Sequence, residues 1–180
     1  HIVIAPVIMP LLFGALLLLL QKQSIILQRT LSFAAAAVQL GLAITLLQAV
    51  NGDDILVYAL GNWSPPFGIV LVADRLAAWM LITTALLACC VLLYAMQGTD
   101  ISGAHFHVLF QLQLFGLSGA FLTGDLFNLF VFFEILLLAS YSLLLHGGGR
   151  LRTKAGLHFV IINLVGSTLF LFAVGALYGI

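Results

Sequence analysis

The sequence predicts an all-α integral membrane protein, a polytopic helical bundle of about six transmembrane helices, and three observations carry that prediction. Of its 180 residues, 63% are hydrophobic and only 7% charged, where soluble domains carry about 25% charged residues. The mean hydropathy is +1.24. Apolar runs of about 18 residues or more recur along the whole length, and runs of that kind read as membrane-spanning helices. The formal net charge of +0 leaves no electrostatic footprint for nucleic acid or an acidic partner.

Residues 1–180 read as one membrane domain. The first span covers residues 2–20, with Pro6 and Pro10 in its early turns, where proline is tolerated. With no basic run or small-residue cleavage site about it and further spans after it, it is expected to be a membrane span rather than a secretory signal. The second span covers 31–50, after a polar connection holding Lys22 and Arg29. Residues 51–74 form the one long extramembrane stretch, in which Asn51-Gly52, Pro65-Pro66 and β-branched residues predict turns and a short hairpin. The third span, 75–96, has Asp74 placed to cap it and Trp79 and Tyr94 near its ends, as in an aromatic belt. The fourth covers 105–122, the fifth 126–145 with Asp125 as its cap, and the sixth 155–178. His1 at one end and an apolar run stopping at Ile180 lead us to expect a piece of a longer polypeptide.

Charge sets the expected orientation. Lys22 and Arg29 lie between spans one and two, and Arg150, Arg152 and Lys154 between spans five and six. Alternating spans put both loops on one side, cytoplasmic by the positive-inside rule. Asp53 and Asp54 then lie outside, with Arg75 as the outer exception.

The fifth span, "LFNLFVFFEILLLASYSLLL", contains the chain's only glutamate, Glu134. Nine residues beyond Asp125, it lies about 14 Å into the helix, close to the middle of a hydrocarbon layer about 30 Å thick. An ionised acid there costs about 2.5–3.5 kcal/mol on insertion scales, so it must be paired, hydrated or protonated. Desolvation favours the protonated form, which makes the residue a candidate proton carrier. Its own helix offers only Phe130, Val131, Leu137 and Leu138 one turn away, with Tyr141 two turns distant. Partners must come from other helices. Gln111, Gln113 and Asn163 stand at similar predicted depth, with His158, His105 and His107 nearer the cytoplasmic ends, a pattern suggesting a polar path with histidines at its mouth.

The bland readings differ by residue. The amides read as interhelical glue ahead of pathway groups. His105 and His107 read as interfacial, and His158 as either a relay or a hydrogen-bonded structural histidine. The adjacent Cys89 and Cys90 cannot staple a fold and read as packing residues. Gly175 and Gly179 form a small-residue pair suited to close packing. No cofactor is expected. "HGGGRLRTK" lacks the order of a phosphate loop, the histidines do not face each other for haem, and no Cys/His metal spacing occurs. Without a nucleophile–base pair, a transporter subunit is favoured over an enzyme.

Three stretches carry a family resemblance: "GNWSPPFGIVLVADRLAAWM", "FLTGDLFNLFVFFEILLLASYSLLLHGGG" and "AGLHFVIINLVGSTLFLFAVGALYG". Together they resemble the D subunit of bacterial multisubunit cation/proton antiporters (the Mrp, Sha or Pha family), which is related to the antiporter-like membrane subunits of respiratory complex I. "FVFFE" is the superfamily element, and "WSPPFGI" followed by "VAD" favours the D subunit. The resemblance implies a bundle of about fourteen helices, this chain supplying the first six. It also implies a proton-pathway role for Glu134 beside a lysine on a seventh helix that this chain does not contain. His158 stands where relatives often carry a basic residue, and the "HGGG" loop is similar to K⁺-linked variants in some Gram-negative bacteria.

The expected function is therefore a subunit of a hetero-oligomeric antiporter in the bacterial inner membrane. It would exchange H⁺ for Na⁺ or K⁺, with other subunits and the lipid bilayer as partners. The homologous proton-translocating subunit of a complex I-type oxidoreductase or membrane-bound hydrogenase is the alternative. A structural scaffold in which Glu134 only pairs helices is a third reading.

Overall fold

A computed structural model describes residues 1–52, 54–63 and 68–178. Pro65-Pro66, Asp53 and Gly179, to which the sequence assigns roles, lie outside the described residues. Six helices follow in order: α1 (Ala5–Leu19), α2 (Ile25–Ala49), α3 (Arg75–Ala95), α4 (Phe106–Leu122), α5 (Leu126–Leu144) and α6 (Arg150–Tyr178). Four of them (α2, α3, α5 and α6) are long and apolar enough to cross a membrane, and α1 and α4 are shorter apolar helices. Between α2 and α3, β1 (Leu56–Ala59) and β2 (Val70–Ala73) pair antiparallel, with Leu56 opposite Ala73.

The helix starts follow from capping. Asp74 Oδ1 accepts from Ala77 N at 2.7 Å, and Asp125 Oδ1 accepts from Phe127 N at 2.9 Å. Both aspartates thus occupy the N-cap role expected of them. Ser24 caps α2, its hydroxyl accepting from Leu27 N. This helix therefore begins at Ile25 rather than at residue 31, because its first turns are held by a cap and carry polar residues beyond the apolar run. Arg29 is consequently a helix residue and not a loop residue. Likewise α6 begins at Arg150 rather than 155, directly after Gly147, Gly148 and Gly149, whose φ values of 85°, 67° and 105° only glycine adopts freely. Three such residues reverse the chain tightly enough to lay α6 antiparallel on α5.

The fourth helix is central, packing against α1, α5, α3 and α2. Its glycines set the approach of α5. A Cβ on Gly116 would meet the Leu136 backbone at 3.0 Å, and one on Gly119 would overlap the Phe132 ring. Small residues of this kind allow helix backbones to come together without any aqueous hydrophobic drive. One core cluster joins Val7, Leu46, Leu81, Leu122 and Phe132; a second joins Ala36, Leu92, Phe106 and Phe110. The β-hairpin sits over the α4–α5 connection, where Gly124 N donates to Val70 O at 2.9 Å. Of the two free cysteines, Cys89 packs at the edge of the second cluster, whereas Cys90 is exposed. The packing role expected for both thus holds for one, because consecutive helical residues point about 100° apart.

A proline in α1 explains one buried amide. Pro10 has no N–H, so the carbonyl of Pro6 has no donor within the helix. Gln39 Nε2, on α2, donates to Pro6 O at 2.8 Å and to Ser118 Oγ of α4 at 2.8 Å. One side chain therefore ties three helices at a point 1% exposed. Gln39→Leu is expected to destabilise the assembled protein by about 2 kcal/mol, since it orphans two buried polar groups. Thermal unfolding in detergent would show this as a lowered midpoint, and an unchanged midpoint would mean the carbonyl is satisfied otherwise.

Candidate functional site

Glu134 points away from α4 and into a cleft between α5 and α6. The cleft has a volume of about 240 Å³ and is lined by Phe130, Phe133 and Leu137 on one side and Asn163, Gly166, Ser167 and Phe170 on the other. Two aromatic contacts fix the helices across it. Phe130 stacks on Phe170 with ring centroids 6.3 Å apart, and Tyr141 meets Phe159 edge-on at 5.7 Å. Because the helices are antiparallel, stepping one turn inward from Phe130 and from Phe170 brings Glu134 opposite Gly166. The missing side chain at Gly166 leaves the space beside the carboxylate, and a Cβ there would meet nothing within 4 Å.

Glu134 Oε1 is buried without a hydrogen-bond partner among the described residues. The polar groups that share its cleft are turned back to their own helix: Asn163 Nδ2 donates to Phe159 O at 2.8 Å and Ser167 Oγ to Leu164 O at 3.2 Å. A buried unpaired charge is too costly to persist, so this geometry calls for a proton, water or a base from outside these six helices.

The other sequence candidates scatter. Gln113 turns towards α5 but accepts from Ser140 Oγ at 3.0 Å, away from Glu134. Gln111 faces α1 beside Gly14, fully buried, with neither amide atom partnered among the described residues. Asn163 is the one amide of the three that shares the Glu134 cleft. His158 is exposed and its Nδ1 lies 2.9 Å from Lys154 O, so it sits outside the cleft, about two turns nearer the glycine loop. His105 is exposed at the α4 N-cap with a left-handed φ of 65°. His107, expected at the interface, is instead 2% exposed, because α4 turns this side of its first turn against α2.

Sequence reasoning missed the group around His107. Arg29 donates through Nε to Asp100 Oδ2 at 2.6 Å and through Nη2 to Oδ1 at 2.9 Å, a bidentate pair. His107 Nε2 is 3.4 Å from Asp100 Oδ2, and its Nδ1 is 2.9 Å from Ser32 Oγ. The Arg29 guanidinium holds the Asp100 carboxyl below the usual carboxylate range. The available signal was periodic: Ser32 and Gln39 share one face of α2, and His107, Gln111 and Ser118 one face of α4. At the opposite end of the bundle, Asp125 also receives Asn128 Nδ2 at 2.8 Å and the Tyr178 hydroxyl, tying the end of α6 to the start of α5.

Comparison with known proteins matches this architecture. Residues 123–180, which include Glu134, match the family described as "NADH:quinone oxidoreductase/Mrp antiporter, TM". A Rhizobium meliloti (strain 1021) protein, named as the probable D subunit of a K(+)/H(+) antiporter, is 50% identical over 99% of this chain and 34% of its own length. The D subunit of the Na(+)/H(+) antiporter of Bacillus subtilis (strain 168) is 40% identical over 100% of this chain and 37% of its own. The Mrp complex from Dietzia sp. DQ12-45-1b contains a chain with TM-score 0.91 and 32% identity, covering 98% of this chain and 34% of that one. The chain thus spans about a third of the length of these relatives. It is a helical, multi-pass membrane protein whose residues 123–180 match the membrane family shared by Mrp antiporters and NADH:quinone oxidoreductases, and which over its length is similar to the antiporters' D subunits.

Proposed function

We propose that this chain forms part of a subunit of a secondary antiporter that exchanges H⁺ for Na⁺ or K⁺ across the bacterial inner membrane, assembled with other subunits. The observation that carries the reading is the unpartnered Glu134 oxygen in a cleft at membrane depth. Support comes from relatives named for K⁺/H⁺ and Na⁺/H⁺ antiport. Glu134 is the proton carrier. A cation approaching the cleft favours the ionised carboxylate, and its withdrawal favours the protonated acid, so a base moving to and fro loads and unloads the proton. His158, two turns nearer the glycine loop, is the relay between that carrier and the side of Lys22, Arg150, Arg152 and Lys154, which is the cytoplasmic side on charge grounds. The role is transport, not chemical catalysis.

The family description also covers NADH:quinone oxidoreductase membrane subunits, which supports a second reading as a redox-driven proton-translocating subunit. Exchange driven by an imposed pH gradient in vesicles carrying the full gene cluster separates the two. The antiporter reading predicts Na⁺ or K⁺ movement without any electron donor. Cation movement that requires a quinone or hydrogen couple would overturn it in favour of the second.

A further inference from the structure

A second cleft opens on the side of the basic loops. It has a volume of about 500 Å³, and its lining includes Gln21, Lys22, Gln28, Asp100, His105 and His107. At its foot the described side chains form a connected set from three parts of the fold. Arg29 and Ser32 come from α2, Asp100 from the α3–α4 loop and His107 from α4. Asp100 and His107 are 3% and 2% exposed, so neither is an ordinary surface group. Within this set His107 Nε2 has no hydrogen-bond partner, its 3.4 Å approach to Asp100 Oδ2 being longer than a normal N–H···O bond.

We propose that the Asp100–His107 pair is a second proton-exchange site, which takes a proton from water in this cleft and holds it on the imidazole. The proposal rests on reading the chain as part of a proton-coupled antiporter. Asp100 does not take the proton, because Arg29 occupies both carboxylate oxygens and keeps the acid ionised. In the neutral state the Ser32 hydroxyl donates to Nδ1. In the charged state Nδ1–H donates to Ser32 Oγ, the serine hydroxyl having rotated, and Nε2–H faces the Asp100 carboxylate across 3.4 Å as an ion pair. One proton leaves a hydronium ion, which becomes water, and occupies a nitrogen lone pair. The set gains one positive charge and loses it on release. The other groups facing it are cationic or titratable. Lys22 and His105 line the cleft, while His146 packs on Phe106 with ring centroids 5.3 Å apart and accepts through its carbonyl from Arg152 Nη1. Asp100 is the one anion in this group, which makes it the element that permits a charged histidine here.

The test uses the full antiporter complex in membrane vesicles, with pH varied on each side in turn. Wild type is expected to show a step in exchange rate when the basic-loop side is titrated through the range in which His107 takes up its proton. His107→Gln should abolish that step and lower the neutral-pH rate by about tenfold or more. Asp100→Asn should move the step towards acid by about one pH unit or more, because the charged imidazole loses its counter-ion. A His107→Gln profile that overlays wild type in an assembled complex overturns the proposal. Should His107→Gln fail to assemble, an unshifted midpoint in Asp100→Asn overturns it instead. Glu134→Gln, measured alongside, keeps the two ideas apart: a dead Glu134→Gln beside an unaltered His107→Gln removes only this site, whereas full exchange in Glu134→Gln removes the carrier reading on which it rests.

Discussion

Replacing Glu134 by glutamine is expected to eliminate pH-gradient-driven cation exchange while leaving the complex assembled. The substitution is nearly isosteric and removes only the titratable proton. It creates no clash, because the carboxylate faces a cleft of about 240 Å³ rather than a packed wall. Nor does it break a protein hydrogen bond, since Oε1 has none among the described residues. Stability should therefore be unchanged or slightly raised, as replacing an uncompensated buried acid often is. Transport should fall by at least about 10²-fold, the usual worth of a positioned proton-transfer group. Glu134→Asp should retain part of the activity, because it keeps the acid but withdraws it into the helix by one methylene. Equal loss in both variants would point to position rather than to protonation.

The largest effect on stability is expected at the other face of the same helix. Phe132 and Glu134 are two residues apart, so one faces α4 and the other α6. An added methyl at Gly119 would overlap the Phe132 ring, which is 7% exposed in the core. Gly119→Ala is therefore expected to cost about 3 kcal/mol, the upper end for overpacking, because a ring wedged between helices has little room to retreat. Poor recovery of assembled complex and a lowered unfolding midpoint would report it. Gly119→Ala combined with Phe132→Leu should recover much of the loss. If the double variant is as unstable as the single one, the α4–α5 approach is governed by Gly116 against Leu136 instead.

What the sequence made legible was everything that depends on local patterning. Apolar run length announced the six helices, four of them long enough to cross a membrane, and Asp74 and Asp125 announced their helices because an N-cap is a local hydrogen bond. The place of Glu134 midway along α5 followed from counting residues. What it hid depends on which helix lies beside which. Gln111 and Gln113 looked equivalent in depth, yet they point to opposite neighbours, α1 and α5. Arg29 looked like a loop charge and Asp100 received no role, because the bond between them closes over 71 residues. Gln39 could have been anticipated from Pro10, whose missing N–H frees a carbonyl that some donor must meet. The identity of that donor required the α1–α2 contact.

The central claim is that Glu134 gains and loses a proton as the cation moves. Infrared difference spectroscopy on the purified complex, triggered by a jump in cation concentration, reads this directly. Wild type is expected to show a protonated-carboxyl stretching band that changes on the jump and is absent in Glu134→Gln. A band that persists unchanged in Glu134→Gln, or an active wild-type complex showing no carboxyl band, would contradict it.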